Sequence, residues 1–260
     1  MQTPYIIAEH NYTEIPDLTK FFTHTHNDYE LYYFISGDGK YFVEGTIYPM
    51  KPGDLLIMKK AETHALIINS LQPYERIVIN FNAEAIFKEG RESLCAFLDN
   101  RPLGKGNKYS HDISKNTNWD YYLNKICTCK ELNAKRLYLT ALLSELSETD
   151  NTADEEKIVK DNFSEILSFI NENLSKPLSL EQICARFYIS QAQLNRKFKK
   201  MTGQTAWKYI STKRLILARD LLRHGVAPTR VYTEVGYNEY CSFFRAYKSM
   251  FSLSPNKEHK

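Results

Sequence analysis

The chain has 260 residues, 43% hydrophobic and 25% charged, which suits a soluble globular protein of two ordinary domains, each able to bury its own core. No run approaches the roughly 18 consecutive apolar residues of a membrane-spanning helix, and Met1-Gln2-Thr3-Pro4 opens without a basic and apolar leader, so no membrane partner and a cytoplasmic location are expected. The net charge of +3 hides an asymmetry: residues 158–260 carry 17 Lys and Arg against 8 Asp and Glu, net +9, and residues 1–157 are net −6.

A basic half of this kind is the electrostatic footprint of a nucleic-acid partner, with a solvated basic surface as the plain alternative. The five cysteines, Cys95, Cys127, Cys129, Cys184 and Cys241, are odd in number and scattered. They suggest neither a disulfide framework nor a CxxC metal site, and read as reduced fillers.

Residues 5–82 read as short strands with turns between them. Tyr29–Ile35 is rich in residues that fit a pleated, packed surface. Gly37-Asp38-Gly39 supplies a turn, and Lys40–Val43 is the returning strand. Apolar runs follow at Gly53–Met58, Ala65–Asn69 and Arg76–Phe81, a pattern of sandwiches and barrels. On a strand, His24, His26 and Glu30 share one face. With His64 they form a set of imidazole and carboxylate ligands suited to iron, manganese, zinc or nickel. Buried His and Glu also serve as mutually satisfied polar groups. The pattern His24-x-His26-x-x-x-Glu30 followed by Gly37, and Pro52-Gly53-Asp54 followed by His64, resembles the two motifs of the cupin superfamily over about Phe21–Phe81. The resemblance implies a small β-barrel with a ligand pocket inside it, and a divalent metal at His24, His26, Glu30 and His64 as one of its uses. The candidate effector contacts are His24, His26, Glu30, Tyr33, Tyr41 and His64. Tyr29, Phe42 and Tyr48 are further aromatic candidates to stack a sugar or another small polar molecule, with plain core as the alternative. Enzymatic cupins usually place a glycine before the first His, and Leu18-Thr19-Lys20 stands there instead.

From about Asn82 the pattern turns helical. Trp119–Cys129 and Asn133–Leu146 are amphipathic, with Leu139, Leu142, Leu143 and Leu146 at i, i+3, i+4, i+7. Ser147–Lys157 is polar and acidic and reads as linker. The expected boundaries are a first domain over 1–148, a linker over 149–157 and a helical domain over 158–260.

Ser179-Leu180-Glu181-Gln182 is a capping box that starts a helix over Leu180–Phe187. Tyr188-Ile189 makes a turn, and Ser190 with Gln193 caps a second helix over Gln191–Met201, closed by Gly203. Leu194, Phe198 and Met201 face inward. Gln191, Gln193, Asn195, Arg196, Lys197 and Lys200 face outward. Two helices on a tight turn, the second polar and basic, form a helix-turn-helix. Arg pairs with guanine edges, Asn or Gln with adenine edges, and Lys neutralises phosphates. A long helix from Thr205 to His224 follows, about 30 Å at 1.5 Å per residue. That is close to the roughly 34 Å between successive major-groove faces on one side of DNA. Thr229–Val235, a turn at Gly236-Tyr237, Asn238 as N-cap and a helix over Glu239–Phe251 make a second helix-turn-helix.

The stretch from about Ile166 to Pro255 resembles the AraC/XylS family of transcription regulators. The matching run includes Leu180-Glu181-Gln182-Ile183, Ile189-Ser190, Leu194, Phe198-Lys199-Lys200, Gly203, Arg214-Leu215, Leu221-Leu222, Val235-Gly236-Tyr237, Phe243, Arg245 and Ser254-Pro255. The resemblance implies two helix-turn-helix motifs reading adjacent major grooves of double-stranded DNA. Base contacts would fall on Ala192, Asn195 and Arg196, and near Tyr240, Cys241, Phe244 and Arg245, with Lys248 on phosphate. It also implies a small-molecule effector, homodimerisation and activation, with the two helices over 119–146 as the candidate dimer surface. The second motif departs from the family pattern: Ala227-Pro228-Thr229-Arg230-Val231-Tyr232 lacks the capping box, Tyr232 replaces a small Ala, and Phe244 replaces a polar residue. The first motif is therefore expected to carry most sequence discrimination. The fold class read here is α+β in two domains: a cupin-like β-barrel with a helical hairpin, then an all-α domain with two helix-turn-helix motifs joined by a long helix. The alternative function is a metal-dependent cupin enzyme fused to a DNA-binding domain.

Overall fold

The computed structural model describes residues 3–18, 23–114, 117–149 and 162–258. The chain divides into two compact units, Met1–Lys20 with Asp28–Val159, and Phe21–Asn27 with Lys160–Lys260. Ser147 and Glu148, expected in the linker, are the last residues of a helix. Residues 150–157 of that linker, and 158–161 beyond it, lie outside the described residues.

In the first unit the strands are β1 (Ile6–Thr13), β2 (Tyr29–Ser36), β3 (Gly39–Val43), β4 (Thr46–Pro49), β5 (Asp54–Met58), β6 (His64–Ile68), β7 (Tyr74–Phe81) and β8 (Lys108–Tyr109). They pair antiparallel in two sheets, ordered β1-β7-β2-β5-β8 and β4-β3-β6. The expected barrel is therefore two sheets, with the chamber between them packed by side chains of their inner faces, rather than one continuous ring of hydrogen bonds. Gly37 turns β2 into β3 at φ 127°, where any Cβ would meet Tyr74 at 2.5 Å; only glycine fits there.

The five-stranded sheet is covered on its outer face by helices α1 (Lys88–Asp99), α3 (Trp119–Thr128) and α4 (Leu132–Glu148). A short α2 (His111–Ser114) precedes α3. Leu31, Tyr33, Leu55, Ile57, Ile77 and Ile79 meet Trp119, Leu123, Leu139 and Leu143 in the larger core. The inner faces of both sheets share a second core built from Tyr32, Phe34, Tyr41, Val43, Leu56 and Met58. Because β2 is covered on both faces, its residues from Tyr29 to Phe34 are all buried, as expected of a central strand with two packed sides.

Buried carboxylates pin the loops of this unit. Glu62 accepts from Gly104 N at 2.9 Å and Asn107 Nδ2 at 2.8 Å. Asp54 pairs with Lys108 at 2.9 Å and accepts from His111 N at 2.9 Å. A two-residue strand such as β8 survives through these anchors, since one short pairing to β5 is weak by itself.

The second unit holds α5 (Asn162–Glu172), α6 (Leu180–Phe187), α7 (Gln191–Thr202), α8 (Ala206–Arg223), α9 (Pro228–Glu234), α10 (Tyr240–Phe251) and α11 (Pro255–Glu258). Both expected capping boxes form, at Ser179 with Gln182 and at Ser190 with Gln193. Tyr188 ends α6 in the left-handed region at φ 52°, and Gly203 ends α7 at φ 70°. Phe163 of α5, Phe198 of α7 and Tyr209 of α8 pack in series, edge-on and then tilted, at 5.0 and 5.3 Å in the first motif's core.

The second motif is built differently. Pro228 starts α9 without a side-chain cap. The N-cap of α10 is Glu239, not Asn238, and it too makes no capping hydrogen bond. Aromatic packing takes over: Tyr232 meets Tyr240 edge-on at 5.8 Å, and Phe243 lies between Tyr237 and Tyr247 at 5.5 and 5.6 Å. Glu258 of α11 closes the motif with bonds from Arg223 Nε at 2.7 Å and Arg219 Nε at 3.1 Å.

One buried side chain ties the two motifs together. Arg214 of α8 is 3% exposed. Its Nε donates to Leu174 O at 2.9 Å and its Nη2 to Lys176 O at 2.8 Å, ahead of α6. Burial pulls its pKa below the usual arginine range. Across α8 the same guanidinium faces the turn between α9 and α10. There Gly236 has φ 82°, and a Cβ would meet Leu174 O at 2.6 Å and Arg214 Nη2 at 2.7 Å.

Candidate functional site

The outward face of α7 presents Gln191, Ala192, Gln193, Arg196 and Lys200 to solvent. Gln193 spends its Oε1 on Ser190 N at 2.8 Å, so its amide holds the start of the helix. Asn195 is half-buried, and its Oδ1 accepts from Ala206 N, the first amide of α8, at 3.1 Å. A bidentate pair to an adenine edge needs both the oxygen and the nitrogen of the amide. As placed, Asn195 offers only its NH2 group. Lys197 is half-buried and already engaged. Arg196 is exposed with no bond to its fork among the described residues, and Lys199 and Lys200 are exposed cations on the same helix.

On α10, Cys241, Arg245 and Lys248 are exposed, and Tyr240 and Phe244 are half-buried. Tyr240 packs against Tyr232, Phe243 and Phe244 at about 6 Å. Arg245 leans back on its own helix, its Nε 3.4 Å from Cys241 O. The outward surface is therefore less polar than that of α7. Between the two motifs lies a cleft of about 610 Å³, floored by Ser211 and Arg214 and edged by Trp207, Ser179 and Ser242.

In the first unit, strand alternation sorts the aromatic candidates. Tyr41 of β3 points into the chamber, 4.5 Å from the Tyr32 ring. Its hydroxyl donates to Glu30 Oε1 at 3.2 Å. Tyr33 points the other way, into the core under the helices, and donates to Asp120. It is removed from the chamber by the sheet itself, as is Tyr29, which donates to Asp99 at 2.8 Å. Tyr48 donates to Gly104 O at 2.8 Å, and burial pushes its pKa up to about 12.

Glu30 and His64 meet inside the chamber, with His64 Nε2 3.5 Å from Glu30 Oε1. Burial by itself lowers the His64 pKa, but the adjacent Glu30 carboxylate outweighs it and the pKa is raised. His24 and His26 belong to the Phe21–Asn27 segment, which groups with the second unit. Their rings lie 5.8 Å apart. His24 makes an isolated bridge, and residues 25–28 are irregular, so the two histidines and Glu30 do not share the face of one strand.

Sequence reasoning passed over Tyr32 and Arg76, which alternation turns to the chamber side of β2 and β7. The signal was an arginine at the head of the apolar run Arg76–Phe81, on the face that alternation gives to Val78.

Family comparison agrees with this division. The AraC-like ligand binding domain family matches residues 12–105, and the helix-turn-helix domain family matches residues 183–260. The multiple antibiotic resistance protein MarA of Salmonella typhimurium is 32% identical over 93 residues, 35% of this chain and 73% of MarA. The probable transcriptional regulator LumQ of Photobacterium leiognathi is 29% identical over 105 residues, 40% of this chain, and the chain spans only 42% of LumQ. Among solved structures, ToxT from Vibrio cholerae strain SCE256 aligns over 99% of this chain and 96% of its own, at 13% identity and a TM-score of 0.42. Two helix-turn-helix motifs on one long helix, a ligand-binding unit before them and the match to most of MarA lead to one assignment: the chain belongs to the AraC family of DNA-binding transcription regulators.

Proposed function

We propose that this regulator reads double-stranded DNA chiefly through α7, holds its second motif on the neighbouring groove through α10, and answers to a small effector in the chamber of the first unit. The observation that carries the reading is the outward face of α7, where Arg196 is exposed with Gln191, Ala192 and Lys200 beside it. Arg196 discriminates bases, and Lys200, Lys248 and Arg245 neutralise phosphate. At 18 residues, α8 is about 27 Å long, a spacing suited to readers one DNA turn apart.

Effector binding shifts a balance between existing states of the protein. We take activation as the sign of regulation, no catalytic step, and the cytoplasm as the place where the DNA is met. A homodimer through the helical hairpin accounts for Leu137, 61% exposed, and Tyr121, 52% exposed, on its outer surface. The deciding experiment is selection from random duplexes by the full-length protein at two salt concentrations. Enrichment of a site with two elements about one turn apart supports the reading. Salt-sensitive binding with no enriched site reduces the protein to phosphate contact and overturns it.

A further inference from the structure

The chamber of the first unit contains an unusual pair. Tyr32 is 3% exposed, and its hydroxyl has no hydrogen-bond partner among the described residues. A buried hydroxyl left unmet is a standing cost to the fold. Arg76 stands diagonally across on the same inner face, since Tyr32 pairs with Val78 and Phe34 with Arg76. Diagonal neighbours lie within reach of long side chains. Arg76 has five N–H donors to place. Among the described residues they meet only Thr13 Oγ1, at the outer limit of 3.5 Å, and its guanidinium lies 4.7 Å from the Tyr74 ring centroid. No carboxylate pairs with it among the described residues. The acid of this chamber, Glu30, is already served by Tyr41 and His64.

We propose that the chamber takes an organic carboxylate, gripped by the Arg76 fork and the Tyr32 hydroxyl. This rests on the reading that the chamber is the effector site. A carboxylate accepts two parallel bonds from a guanidinium and has lone pairs left for a phenol. It neutralises the cation, which a sugar does not. Phe34, Leu56 and Val78 line the same inner face and suit a hydrocarbon body, which favours an organic acid over an inorganic anion.

The test is thermal unfolding of the full-length protein with hexanoate and phenylacetate, with the uncharged hexanamide and phenylacetamide, and with inorganic phosphate. The expected result is a rise in Tm of about 3 °C for a carboxylate well above its Kd, and none for the amides or phosphate. Arg76→Met abolishes the rise and leaves the unliganded Tm unchanged or higher, because it removes an unpaired cation. Arg76→Lys keeps the charge without the fork and shows a smaller rise, which covers the case in which the Met variant does not fold. Tyr32→Phe also reduces it. An unliganded Tm that falls in both Arg76 variants makes the arginine structural and overturns the proposal. So does a rise that persists without Arg76, or one matched by phosphate. If only the amides stabilise, the effector reading stands and the carboxylate falls; if nothing stabilises wild type, both fall.

Discussion

Arg214 shows how much one side chain can carry. Its two hydrogen bonds are charge-assisted and shielded from water, and its loss leaves the Leu174 and Lys176 carbonyls unmet. Arg214→Ala is expected to cost about 3 kcal/mol in denaturant unfolding. Arg214→Lys is not expected to restore it, because an ammonium cannot span two carbonyls as a planar fork does. Asn195 separates stability from recognition in another way. Asn195→Ala removes the acceptor for Ala206 N and should cost about 1 kcal/mol, the usual worth of a helix cap. Asn195→Asp keeps the acceptor and the stability, and should weaken DNA binding by placing a negative charge on the reading face; equal loss of stability in both variants would refute this. At this scale the sequence was legible where chemistry is local. Both capping boxes were, because Ser and Gln three residues apart bond only to each other's backbone. The direction of Tyr33 was not, because a strand buried on both sides shows no alternation of polar and apolar residues.

The two helix-turn-helix motifs differ in what holds them. The first is closed by caps, and the second by edge-on and tilted aromatics and the Glu258 clamp. The helix start at Tyr240, one residue later than the sequence suggests, escaped sequence reading for that reason: packing of Tyr240 on Tyr232 fixes it, and Asn238 as a cap does not. The motifs should also differ in how they read DNA. Arg196→Ala should relax preference at one base position, worth about 1–3 kcal/mol, while Arg245→Ala should weaken all sequences alike. Binding-site selection with each variant checks this, and equal relaxation in both would reject it. Burial alone raises the Glu258 pKa, but bonds from Arg223 and Arg219 outweigh burial and lower it. A carboxylate whose folded pKa is depressed adds stability above its unfolded pKa, about 4.3, and loses it as pH falls through the folded value. Thermal unfolding from neutral pH into that acid range should therefore show a loss that Glu258→Gln removes, starting from a lower plateau.

Across the whole chain, opposite charge divides the work. The half after residue 157 is net +9 and the half before it net −6, so DNA attraction falls to the helical domain. If about six phosphates are neutralised, raising salt from about 50 to 200 mM should weaken binding about a thousandfold. A flat salt response in a filter-binding or anisotropy titration would contradict a phosphate-based grip. The two-domain plan was legible because strand and helix periods change near Asn82 and the charge changes near the linker. The two-sheet form of the chamber was not, because closure depends on pairings between distant strands. The contact of Gly236 with Leu174 O and Arg214 Nη2 bears on how such regulators can be recombined. The two reading heads share one joint. A chimera that imports a foreign second head must bring a glycine at that turn and meet the same arginine, or the donor and recipient halves will not seat. New operator specificities are then more readily obtained by altering the exposed faces of α7 and α10 than by exchanging whole heads.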